Sequence, residues 1–173
     1  TSQFGAARVE EDLLCRRPDL VLTEFSVNDE NTPHFRETYE GLIRRILGSG
    51  AALMLMNNVC YDTGSSAEEV HLQIARHYGL PSISMRPTLY AALRRGTLRA
   101  RDITPDDLHP NDRGHALVAE GICYLLETIR RSPWEKLPEA PLPAPLTPNR
   151  YEPSRRYQNH NGAPVCRGLF ADE

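Results

Sequence analysis

The sequence has 173 residues, with 20 Lys and Arg against 23 Asp and Glu for a formal charge of −3, which is enough for one α/β domain with a core and too few for two. Its longest apolar run, residues 51–56, is far too short to cross a bilayer, so no membrane association is expected and a soluble, cytoplasmic setting is favoured slightly over secretion. The basic pairs Arg94-Arg95 and Arg130-Arg131 are separated by acidic residues rather than gathered into a stripe, which argues against a nucleic-acid partner.

In chain order, Phe4, Ala7, Val9, Leu13 and Leu14 recur at helical spacing and predict an amphipathic helix over residues 4–17, ended by Pro18. Residues 20–25 are rich in strand formers and read as a buried strand running into a polar loop over 26–31. A second helix is predicted from Thr32 or Pro33 to Leu47, stopped by Gly48-Ser49-Gly50. Residues 51–56 supply the next strand. Ser66 is placed to cap a third helix, with Glu69 closing a capping box and Val70, Ile74 and Tyr78 as its apolar stripe. Gly79 ends that helix. A short strand over 82–85, a helix over 87–95 and a long helix from Asn111 or Asp112 to Arg130 complete the order. Strands alternating with helices predict a mostly parallel sheet covered on both faces, with ligands beyond the carboxyl ends of the strands.

After Ser132 the prolines at 133, 138, 141, 143, 145, 148 and 153 rule out helix or central strand and leave a linker or a surface strap. The last residues are too few to bury a core of their own. Cys15, Cys60, Cys123 and Cys166 are widely spaced without a CxxC pair and are expected as small buried side chains. No HExxH or comparable ligand pair occurs, so neither a metal nor a cofactor is expected.

Two short segments carry chemistry. In Asp106-Asp107-Leu108-His109-Pro110 a carboxylate three residues before a histidine can hold Nδ1 and leave Nε2 free as a general base. A lone DxxH is more often a capped turn with a surface histidine. In Ser26-Val27-Asn28-Asp29, Asn28 lies where a neutral side-chain amide could donate to a developing oxyanion, although Asn and Asp at such a junction often only stabilise the turn. Ser26 lacks a glycine-flanked elbow and is rejected as a nucleophile. His115 lies well inside the last helix and competes poorly as a base. His34, His71, His77 and His160 are expected to be solvated surface residues.

Together the two segments resemble the SGNH, or GDSL-type, hydrolases, whose third block is Gly-x-Asn-Asp and whose fifth is Asp-x-x-His. The likeness extends over residues 4–129 and includes Arg17-Pro18-Asp19-Leu20-Val21. It implies a three-layer α/β/α flavodoxin-like fold, His109 as general base, Asp106 as its orienting acid and Asn28 in the oxyanion hole. The family's third-block glycine is Ser26 here, and no Gly-Asp-Ser nucleophile block occurs in the 173 residues. The resemblance therefore implies a fragment missing its first strand and its serine, inactive by itself. The expected organisation is a partial hydrolase domain over 1–131, a proline-rich linker over 132–153 and the start of a truncated C-terminal domain over 154–173. The expected substrate is a small-molecule or carbohydrate ester, with acetyl groups on carbohydrate favoured by family analogy. The alternative is a non-catalytic carbohydrate-binding or structural module of the same fold; upstream sequence carrying the nucleophile block would favour the esterase, and its absence the module.

Overall fold

Three parallel strands in sequential order form the sheet of the computed structural model, which describes residues 1–133, 141–157 and 162. The chain runs α1 (Ser2–Asp12), β1 (Leu20–Thr23), α2 (Pro33–Gly48), β2 (Ala52–Asn57), α3 (Glu68–His77), β3 (Ser82–Ser84), α4 (Ala91–Arg94) and α5 (Asp112–Arg131). Leu20 pairs with Ala52 and Thr23 with Leu55, while Leu55 pairs with Ser82 and Asn57 with Ser84. This is the expected α/β class, with a small all-parallel sheet.

The element ends differ from expectation for local reasons. The first helix stops at Asp12, and a tighter turn over Leu14–Arg16 ends with Arg17 in the left-handed region at φ 51. β1 stops at Thr23 because the Glu24 side chain takes the Ser26 N–H at 2.8 Å and Phe25 O takes the N–H groups of Asn28 and Asp29, which turns the chain away from the ladder. α2 has Pro33 in its first turn, and the Thr32 side chain accepts from Phe35 N–H at 3.3 Å. At α3 the cap position falls to Ala67 rather than Ser66; Ser66 Oγ still accepts from Glu68 N–H at 3.2 Å, and the capping box expected from Glu69 does not form. The helix expected over 87–95 is split: Arg86–Tyr90 form a wide π-type turn, in which Tyr90 N–H reaches Met85 O, before the short α4.

Alternation along the strands sorts the core into two layers. Val21, Leu53 and Leu55 pack against Ala6 and Val9 of α1, Tyr39, Leu42, Ile43 and Ile46 of α2, and Ile74 and Ala75 of α3. Burying each of these larger side chains stabilises the fold by about 1.5–3 kcal/mol. On the other face Met56, Ile83 and Met85 meet Leu89 and the α5 residues Leu117, Val118 and Ile122. That second layer stops short of β1, leaving Leu20 48% and Leu22 42% exposed. An open cavity of about 410 Å³ runs along the same strand, between it and α1, lined in part by Phe4, Val9, Leu22 and Phe25.

Residues 141–157 lie as a strap along α2 and α1. Glu40, fully buried, accepts from the N–H groups of Leu146 at 2.6 Å and Thr147 at 2.7 Å and from the Tyr78 hydroxyl at 2.6 Å. Glu37 takes the Arg150 N–H at 2.8 Å and a bidentate contact from its guanidinium. The strap passes so close that a Cβ at Gly41 would lie 2.7 Å from Glu152 N. The expected C-terminal domain start falls mostly on residues outside the described set, as do His160 and Cys166. The remaining cysteines are not the buried side chains expected: Cys15 and Cys123 are exposed and Cys60 is partly buried, all with free thiols.

Candidate active site

The segment Thr104 to Asn111 is fixed at both ends before any chemistry is considered. Asn111 N–H donates to Ile103 O at 2.8 Å, and the Asn111 side chain accepts from Gly114 N–H at 3.0 Å as the cap of α5. Gly114 is required there, since a Cβ would lie 2.3 Å from Ile103 O. Between these anchors Asp107 takes φ 63 and its carbonyl accepts from Tyr61 N–H at 2.7 Å, so the loop bends around Asp106.

Asp106 gathers donors. Its Oδ1 accepts from His109 N–H at 2.7 Å, Leu108 N–H at 3.1 Å and the Thr104 hydroxyl at 3.3 Å, while Oδ2 faces His109 Nδ1 at 2.7 Å. The His109 ring contact, followed by the His109 and Leu108 backbone N–H groups, holds this carboxyl well below the usual carboxylate range. A carboxylate can only accept, so Nδ1 carries a proton, and in the neutral ring Nε2 presents its lone pair. Nε2 has no hydrogen-bond partner among the described residues, and the ring is 74% exposed. The pair is thus oriented and open to a reactant.

Asn28 occupies a different loop, following β1, and its side chain is exposed. It makes no hydrogen bond to Asp106 or His109. The two loops are connected through the segment after β2: Ser26 O accepts from Ala67 N–H at 2.6 Å, Ser26 Oγ lies 2.9 Å from Asn58 O, and Tyr61 N–H reaches Asp107 O. Asn28 and the Asp106–His109 pair therefore flank the loop over residues 58–66, on the carboxyl-terminal side of the parallel strands, where such sheets bind ligands. Ser26 is fully buried, and its hydroxyl faces Glu24 and Asn58 O. The hydroxyl that replaces the family glycine ties two loops together.

His115 is exposed on α5. The expectation of a solvated His71 is wrong: its ring is fully buried, stacks on Tyr39 at 3.7 Å and contacts Asp29 Oδ2 through Nε2 at 3.1 Å. Its place beside Ile74 and Ala75 on the inward stripe of α3 was the available signal. Thr104 and Tyr61 were also missed, since nothing local marks them as supports of Asp106. Among the described residues no three His, Cys, Asp or Glu side chains gather to hold a metal ion, and no helix is long and apolar enough to cross a membrane.

The helix-flanked parallel sheet, which carries the Asp106–His109 pair, matches the SGNH hydrolase class of fold. Within that class the chain belongs to the GDSL-like lipase/acylhydrolase family, whose model matches residues 1–117. Two crystal structures of a two-domain esterase (CEX) active on acetylated mannans, one co-crystallised with mannopentaose, are 50% identical to it, with TM-scores of 0.88 and 0.92. The matches cover 99% of this chain and 46% and 47% of the esterase chains, so the chain spans about half the length of these relatives. No curated protein matches the chain.

Proposed function

We propose that these residues supply the acid–base pair and one oxyanion donor of a carbohydrate acetyl esterase whose serine nucleophile lies outside the 173 residues. The observation that carries the reading is the 2.7 Å contact between Asp106 Oδ2 and His109 Nδ1, with Nε2 left free. The serine hydroxyl attacks the acetyl carbonyl while His109 Nε2 takes its proton, and Asn28 donates to the oxyanion that forms. As the bond to the sugar oxygen breaks, His109 gives that oxygen the proton, releasing the sugar alcohol and leaving an acetyl-serine. Water, deprotonated by the same nitrogen, then attacks that ester, and His109 returns the proton to the serine oxygen as acetate leaves.

The absence of a Gly-Asp-Ser block from the sequence supports a nucleophile supplied from elsewhere. The free edge of β1, with Leu20 and Leu22 exposed and an apolar cavity along it, suits a further strand on which a serine would arrive beside Asn28. Half identity over nearly the whole chain to an esterase active on acetylated mannans supports an acetylated polysaccharide as substrate.

Release of acetate from acetylated manno-oligosaccharides tests the reading. The 173-residue chain should show almost none, while a polypeptide extended by the nucleophile block should turn over and lose activity with His109→Ala. Robust turnover by the chain alone, abolished by His109→Ala, would show a nucleophile within it. Sugar binding without hydrolysis by the extended polypeptide would favour a binding module.

A further inference from the structure

Asp29 and His71 form a second carboxylate–imidazole pair, chemically like Asp106–His109 but sealed, with both side chains at 0% exposure. No reactant reaches it, so it moves no proton to a substrate. From its connections we infer that His71 is a positioning residue that holds the loop presenting Asn28, an inference that rests on the oxyanion role proposed above.

The geometry is a three-way tie at the foot of that loop. Asp29 Oδ1 accepts from Ser2 N–H at 2.8 Å, at the start of α1, where the helix dipole favours an anion. Its Oδ2 faces His71 Nε2 at 3.1 Å on α3. Because the acceptor is a carboxylate, Nε2 is the donor. The imidazole is held flat against Tyr39 of α2, whose hydroxyl contacts Thr23 Oγ1, at the end of β1, at 3.0 Å. The residue after Asn28 is thus tied to α1 and α3 directly and to α2 and β1 through the stacked ring. On its far side the loop is fastened again: the Asn31 amide donates to Ser66 O at 2.8 Å and accepts from Val70 N–H at 3.3 Å. Asn28 projects outward between these fastenings.

Removing His71 leaves a buried carboxylate short of a donor, a state that is relieved when the loop opens to water. Opening would let the Asn28 amide wander, and an oxyanion donor works only if it is in place before the charge develops. Substrate binding does not need that amide, so the loss should fall on kcat rather than KM.

Hydrogen exchange on this chain and turnover by the nucleophile-bearing polypeptide test the inference together. His71→Ala should accelerate exchange at amides 26–31 by about tenfold or more, with β2 amides changed by less than about threefold. In the active polypeptide it should lower kcat about tenfold or more, with KM within about twofold. His71→Gln, whose amide nitrogen can reach Asp29, should restore both. Unchanged exchange at 26–31, equal acceleration across the whole sheet, or failure of the Gln variant to rescue would each overturn the inference. Asn28→Ala separates the two readings: unaltered kcat in that variant sinks the oxyanion role, whereas the exchange result still decides whether His71 holds the loop.

Discussion

Asp106 accepts from the backbone N–H of His109 and faces the Nδ1 of the same residue, so one carboxylate sets both the loop and the tautomer of the ring. Because these bonds depress its pKa, the stabilisation they give is present above the ordinary aspartate value of about 3.9 and is lost only as pH falls through the lower folded value. The orientation of His109 should therefore survive in mild acid. Asp106→Asn should reduce kcat of the active polypeptide by about 10⁴-fold while leaving KM nearly unchanged, because the imidazole loses its fixed tautomer. Steady-state kinetics check this; a loss under about tenfold would show that Asp106 only shapes the loop. The pair was legible in the sequence because a three-residue spacing is a local geometry that a single bend can close. The loop that carries Asn28 was legible by its place after a strand. His71 was not, since being on an apolar stripe does not reveal that a carboxylate from another element waits beneath it.

The strap is an element with no regular hydrogen-bond ladder of its own, and it is held by two carboxylates of α2. Burial opposes ionisation of Glu40, but hydrogen bonds from Thr147, Tyr78 and Leu146 outweigh it and lower its pKa, while Arg150 lowers that of Glu37. Both contributions are present above the ordinary glutamate value of about 4.3 and lost as pH falls through the lower folded values. Glu40→Gln turns an amide N–H₂ toward groups that are themselves donors and should cost about 1–3 kcal/mol. We expect the strap of that variant to loosen at neutral pH, with trypsin cleaving after Arg150 and Arg155 faster than in the parent while the sheet stays folded. Equal cleavage rates would show that the other contacts, such as Arg44 to Glu152 at 2.7 Å and Glu37 to Arg150, hold the strap without Glu40. Proline content made a strap or linker legible; the side it lies on depends on carboxylates more than a hundred positions away, as with Glu40 and Thr147.

Across the whole molecule the uneven feature is the sheet, which is covered by α1, α2 and α3 on one face and only partly by α5 on the other. Among the described residues β1 is one of the two edge strands, with Leu20 and Leu22 exposed, and Phe4, 53% exposed, lines the same cavity. Such an edge pairs readily with other chains. The 173-residue chain should form larger species as its concentration rises, and Leu22→Lys should suppress them, as read by light scattering. A parent chain that stays monodisperse at high concentration would show that this edge is protected.

By itself the sequence determined the order of helices and strands, the α/β class, the Asp106–His109 pair and the loop bearing Asn28, because each rests on periodicity or on contacts within a few residues. Only the tertiary structure decided that His71 is buried on Asp29, that the strap seals against Glu37 and Glu40, where β1 ends, and that Leu20 and Leu22 stay exposed. These depend on which faces of distant elements meet, and the free energy of such contacts leaves no mark on local residue spacing.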